Sequence, residues 1–324
     1  MTSAMPRVAS LVVGSRNVFM QTAMQGAKKG DVGCCIRQFV TNGNNHLARF
    51  VGSTKNIDKA FKFAKSVSEF SCGVIESTGD TGPALQISKN VASTLSTARN
   101  VVALSNVFTG AIPGFVLSSK NCYNHIKKCF APETEYDCGS IEKGLPYNKL
   151  YLTKGDHVLG AIKEGCSAVG AGTYVATFGV SRPVLLANKL AHKPFLSSGV
   201  KAAFCNSVTY MMTANHAAGV IGGAAALLYE NRVYKRASEG LLASKMTESL
   251  DSEVYDQVSK GLKESHYQAV KKTILGILEK AFELIADIFD FIALPITASV
   301  RLAIKAGLVT VSSGFGLYSV WVNS

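Results

Sequence analysis

From Ala202 to Tyr229 the chain reads AAFCNSVTYMMTANHAAGVIGGAAALLY, twenty-eight residues without a formal charge, closed by Lys201 on one side and Glu230 on the other. At ~1.5 Å rise per residue, a helix of this length exceeds the ~20 residues that cross the hydrocarbon core of a bilayer. A helix packed on a water-soluble protein seldom runs so far without a charged face, because one side normally meets water. The stretch is poor in Leu, Ile and Phe and rich in Ala, Gly, Ser and Thr. Gly219 and Gly223 stand at GxxxG spacing, and small residues so placed let one membrane helix approach another closely. The competing reading is a helix buried on all sides in a large soluble core. The membrane reading is preferred.

Composition is consistent with that preference. Hydrophobic residues make up 47 % of the 324 and charged ones 17 %, the low-charge side of the usual range. This suits a few membrane helices joined to a sizeable soluble remainder. The net charge of +12 is unevenly placed: ten Lys or Arg against Asp31 and Asp58 fall in the first sixty-five residues. A basic segment can meet anionic lipid or mark the side that stays out of the membrane. Nucleic acid is the weaker choice as a partner, since no zinc-finger or RNA-recognition signature accompanies the basic cluster. The eight cysteines show no CxxC and no regular framework, so reduced thiols are expected. The opening residues lack the pattern of a Sec signal peptide.

Hydrophobic periodicity predicts a mainly α protein, with little period-two alternation to suggest a sheet. Lys55 to Glu76 reads as a helix with Ile57, Phe61, Ala64 and Val67 on a packing face and Lys55, Lys59, Lys62, Ser66 and Glu69 on a solvated one. Arg99 and Lys120 bracket twenty uncharged residues interrupted by Gly110, Pro113 and Gly114, which predicts a buried helix with a kink or break. Gly165 to Ser181 is seventeen uncharged residues, at the short limit for a span. Ile274 to Leu294 is strongly amphipathic: Glu279, Glu283, Asp287 and Asp290 form an acidic stripe, and Ile274, Leu278, Phe282, Ile285, Phe289 and Ile292 line the other side. Four acids near a bilayer centre would cost roughly 10–14 kcal/mol, so this helix is expected to lie on a membrane or to pack on other helices, with its acids solvated. The final uncharged run from Ala306 has the length of a span. The expected organisation is a basic helical region (1–130), a polar linker (131–157), a hydrophobic region with membrane helices (158–229), a charged helical segment (230–273), and an amphipathic helix followed by an apolar segment (274–324).

The phrases RNVVALSNVFTGAIPG (99–114), SRPVLLANKLAHKPFLSSGVKA (181–202), TANHAAGVIGG (213–223) and LPITASVR (294–301) resemble the class I accessible protein family of chlamydiae, proteins of the inclusion membrane. The similarity runs over most of the chain and weakens in the polar segment from Ala131 to Lys163 and the charged segment from Tyr229 to Lys272. The resemblance implies type III secretion from the bacterium into the host vacuole membrane, with parts of the chain facing host cytosol. It also implies a pair of spans joined by a short loop. Gly165 to Ser181 and Ser207 to Tyr229 are the best pair, although their basic connection is longer than such a hairpin prefers.

A search for chemistry finds no catalytic constellation. There is no GxSxG, HExxH or Walker A run, and the Gly170 and Gly172 pair lacks the third glycine of a dinucleotide site. Cys122, His125 and Cys129 share one helical face near Cys138 but match no zinc module. No enzyme activity, metal or cofactor is expected. The residues singled out are Gly170, Gly172, Gly219 and Gly223 for membrane-helix packing, and Asn215 and His216 as intramembrane polar groups. The overall expectation is a helical, membrane-associated protein with small-residue-rich apolar helices. Its expected partners are membrane lipid, further copies of itself as a homo-oligomer, and host cytosolic proteins; a soluble effector that binds lipid reversibly is the alternative.

Overall fold

A computed structural model describes residues 53–130, 153–246, 252–292 and 295–322. The basic residues before Ser53 and most of the expected polar linker (131–152) lie outside the described residues. Among the described residues 92 % are helical and none is in a strand, as the periodicity predicts.

Among the described residues the helices are α1 (Thr54–Ser77), α2 (Pro83–Asn106), α3 (Ile112–Phe130), α4 (Lys154–Tyr174), α5 (Arg182–Leu190), α6 (Ser198–Met246), α7 (Ser252–Phe291) and α8 (Ala298–Val322). Gly79, at φ +77°, turns the chain out of α1 in the left-handed conformation that glycine adopts without a Cβ penalty. Pro83 then opens α2, where its missing N–H costs nothing. Two pairs of helices are continuous rods: a π-helical turn over Val107–Ala111 joins α2 to α3, and another over Val175–Ser181 joins α4 to α5. Each precedes a proline, Pro113 or Pro183. A proline ring clashes with the carbonyl four residues back, and here that carbonyl, of Thr109 or Gly179, lies inside the widened turn. The break expected at Pro113 is thus a widened turn in an unbroken rod.

The described helices form six antiparallel rods that close into a ring. α1 packs on α2, α3 on α4, α4 on α6, α6 on α7, α7 on α8, and α8 returns to α1. The closure is tight: a Cβ on Gly73 of α1 would stand 2.5 Å from the Ala303 nitrogen of α8. At ~1.5 Å per residue, α1 and α8 are about 36 Å long, whereas the α2–α3 rod and α6 exceed about 70 Å. All six rods therefore run side by side over one part of the molecule. Beyond it α3, α4, α6 and α7 continue alone, with Ala237, Leu241 and Leu262 packed between α6 and α7.

Polarity is inverted relative to a water-soluble bundle. The stripe on α1 expected to be solvated turns inward: Ser66 is 1 % exposed and Lys59 and Lys62 face α7, while Val67, Phe70 and Val74 look outward. The acidic stripe on α7 is likewise corrected. Glu283 is 2 % exposed, Glu279 and Asp287 are half-buried and only Asp290 of the four stays exposed, while Ile274, Ile285, Ile288 and Ile292 face outward. The helix expected to be buried around Pro113 carries some of the most exposed apolar side chains, among them Phe108, Val116 and Leu117. Among the described residues three helices are long and apolar enough to cross a membrane: Pro83–Phe130, Ser198–Leu242 and Ala298–Trp321. The second contains the twenty-eight-residue run. The rod holding Gly165 to Ser181 is not among them, so the expected hairpin pair is not the pair of best spans.

Candidate functional site: an ion-paired interior

The inward stripes of α1 and α7 carry opposite charges at the same helical spacing, and they meet. Lys59 Nζ donates to Glu279 Oε2 at 2.8 Å, and Lys62 contacts Glu283. Neighbouring helices add to the row. Arg99 of α2 donates through Nε to Asp58 of α1 at 3.0 Å, Lys280 reaches Glu283 at 2.9 Å, and Lys305 of α8 contacts Asp290. Lys65 and Glu69 pair along α1 at 2.7 Å. Ser312 of α8 is buried and donates its hydroxyl to the Glu279 carbonyl at 2.8 Å. Isolated charges in such a place would be prohibitive, and pairing removes most of that cost.

His216 stands at the centre of this interior. Its Nδ1 is 2.7 Å from Asp287 Oδ2 and its Nε2 is 2.7 Å from Glu283 Oε2. A ring with a carboxylate on each nitrogen can donate to both only when it carries both protons. Asn215, its neighbour, ties three helices together: its amide donates to the Gly170 carbonyl at 2.6 Å and to Thr173 Oγ1 at 3.3 Å, and its Oδ1 accepts from Lys280 at 3.2 Å.

The singled-out glycines sit between helices. A Cβ on Gly219 would stand 2.6 Å from Lys280 Cγ, and one on Gly223 would stand 2.5 Å from Ile277 Cγ1, both across the α6–α7 contact. Gly170 faces the Asn215 amide, and Gly172 faces the Phe115 ring at 3.3 Å. The same close approach occurs at Gly73, which sequence reasoning passed over. Lys62, Arg99, Arg182, Lys280 and Glu283 were likewise missed as interior residues. The signal lay in two stripes of opposite sign and equal spacing, which invite pairing with each other as readily as exposure to water.

A second polar cluster closes the far end of the molecule. Asp156, in the first turn of α4, accepts from the Thr153 nitrogen at 2.8 Å and hydroxyl at 2.9 Å and contacts Arg236 of α6. Burial pushes the Asp156 carboxyl up, but the hydrogen bonds from Arg236 and Thr153 prevail and hold it below the usual carboxylate range. Nearby, His125 Nδ1 lies 3.1 Å from His157 Nδ1, and Cys122 donates to the Ala161 carbonyl at 3.4 Å. Cys138 lies outside the described residues. Among the described residues no three His, Cys, Asp or Glu side chains converge as a metal site requires.

A cavity of about 310 Å³ occupies the middle of the ring, with Lys62, Arg99, Arg182, His216, Glu283 and Lys305 in its wall. Chemically the interior can hold charge, exchange protons among His216 and its carboxylates, and order small polar guests. Compared with known protein families, curated proteins and solved structures, the chain matches none.

Proposed function

We propose that this chain is an integral membrane protein whose six-helix ring sits in the bilayer with its apolar outer surface against lipid. The observation that carries this reading is the inverted polarity: ionisable side chains face inward and are paired, while Ile, Val and Phe residues cover the outside. In hydrocarbon, ionisable residues are tolerated where they face a bundle interior and find partners, and helices satisfy their own backbone groups. Three of the six rods are long and apolar enough to span on their own, and α1 and α7 cross beside them with their charged stripes paired inside the ring. The four-helix extension then projects from one face, carrying charged residues that include Arg232, Lys235 and Glu239.

The resemblance to chlamydial inclusion-membrane proteins supports a location: delivery by type III secretion into the membrane of the host vacuole. There the protein acts without catalysis, displaying its charged extension and basic N-terminal segment to host cytosolic proteins and organising the membrane through self-association. Its partners are lipid, other copies of the chain and host proteins, not nucleic acid.

Alkaline carbonate extraction combined with single-cysteine labelling tests this, in a background with the native cysteines replaced. Lys193→Cys marks the connection between α5 and α6, and Glu264→Cys marks the extension. The protein is expected to stay with membranes in carbonate. A membrane-impermeant maleimide applied from one side is expected to label one of the two positions and to reach the other only after detergent. Release by carbonate with equal labelling of both would favour a soluble effector that binds lipid reversibly.

A further inference from the structure

Among the described residues in the wall of the central cavity, every lysine or arginine has a carboxylate partner except Arg182. This residue begins α5, directly after the π-helical turn, and lies with its guanidinium 5.1 Å from the centre of the buried Phe178 ring. Arg99 lies 5.4 Å from the same ring but is neutralised by Asp58. Glu69, an acid in the same cavity wall, is taken by Lys65. The Arg182 Nε is buried and has no hydrogen-bond partner among the described residues. Glu69 and Asp58 act on its charge, but each is paired with another cation, and a bound counter-ion at Arg182 would further offset the cost of its partial burial.

Arg182 also stands between two cavities. Beside the central one, a second of about 470 Å³ lies between α1, α2, α5 and α6, and the two share Lys65, Glu69, Arg182 and Val208. Of the four charged residues that line the second cavity, Lys65, Arg182 and Lys189 are cationic and Glu69 is acidic. Its wall on α2 is polar, with Ser96 and Asn100, and its wall on α5 is aliphatic, with Leu185 and Leu186.

We infer that this second cavity binds a small organic carboxylate, its carboxyl group on Arg182 and its hydrocarbon body against Leu185 and Leu186. A planar guanidinium matches a carboxylate through two parallel hydrogen bonds. The aliphatic wall has no use for a halide, and the space is far larger than a halide needs. This goes beyond the membrane assignment and is measured without a bilayer, so either can fail alone.

The test is equilibrium dialysis of radiolabelled butyrate against the purified full chain in detergent micelles at fixed ionic strength. Saturable retention is expected. Arg182→Met should weaken it about tenfold or more, the scale of a lost charge-assisted hydrogen bond, and Arg182→Lys should keep part of it. Leu186→Trp, which fills the cavity and leaves the arginine in place, should also block retention; it guards against a misfolded Arg182→Met. Lys263→Met, on the distant extension, should bind as the parent does. The inference is overturned if the parent shows no saturable retention, if both Arg182→Met and Leu186→Trp retain butyrate, or if chloride competes as well as unlabelled butyrate.

Discussion

At Glu283 three interior groups converge: Lys62, Lys280 and His216 all reach its carboxylate. Removing one partner of a buried pair leaves the others charged and desolvated, at a cost of about 3–5 kcal/mol. Glu283→Ala is therefore expected to lower the thermal midpoint of the protein in detergent micelles sharply. Replacing both members of the facing pair, Lys62→Met with Glu283→Leu, should recover part of that loss, because the uncompensated charge on Lys62 goes too. A midpoint for Glu283→Ala equal to the parent's would mean that the interior is hydrated and the pairs unimportant. Asn215 and His216 were recognisable from the sequence as polar groups inside an apolar run. Their partners on α4 and α7 were not, because contacts between residues 45 to 71 positions apart leave no local pattern.

The helices themselves follow closely from local sequence. Lys55 to Glu76 was the expected helix and Thr54–Ser77 is the observed one. Contacts between elements depend on where a Cβ is absent. Gly73 meets the backbone of Ala303, which cannot rotate away as a side chain can, whereas Gly110 has no atom within 4 Å of a built Cβ. Gly73→Ala is thus expected to cost about 1–3 kcal/mol through overpacking at the α1–α8 contact. Gly110→Ala should be neutral or slightly stabilising, since alanine is the better helix former by about 1 kcal/mol. Paired unfolding curves of the two variants would check this, and equal effects would argue against a tight α1–α8 seam. The GxxxG pair on α6 was legible because its spacing is regular. Gly73 was not, since a lone glycine in an amphipathic helix carries no signal of what faces it.

Over the whole molecule, the lone tryptophan of the chain, Trp321, lies near the end of α8 and is 46 % exposed on the outer surface, close to the half-exposed Tyr318. Aromatic residues at the end of a span favour the headgroup level of a bilayer. In proteoliposomes, lipids brominated near the headgroup end of the acyl chain should quench Trp321 fluorescence more than lipids brominated deeper. No quenching by either would place this surface in water. By itself the sequence determined that the protein is helical, where most of its helices run, that the helix around Pro113 is irregular, and which residues share a helical face. Those features follow from interactions within a few residues along the chain. Only the tertiary structure decided which face turns inward, because a helical stripe has a period but no sign, and a basic stripe satisfies water and an acidic neighbour equally well. Ring closure was decided there too: α8 returns to α1 across more than two hundred residues, and that return enclosed the charged stripes and left the apolar ones outside.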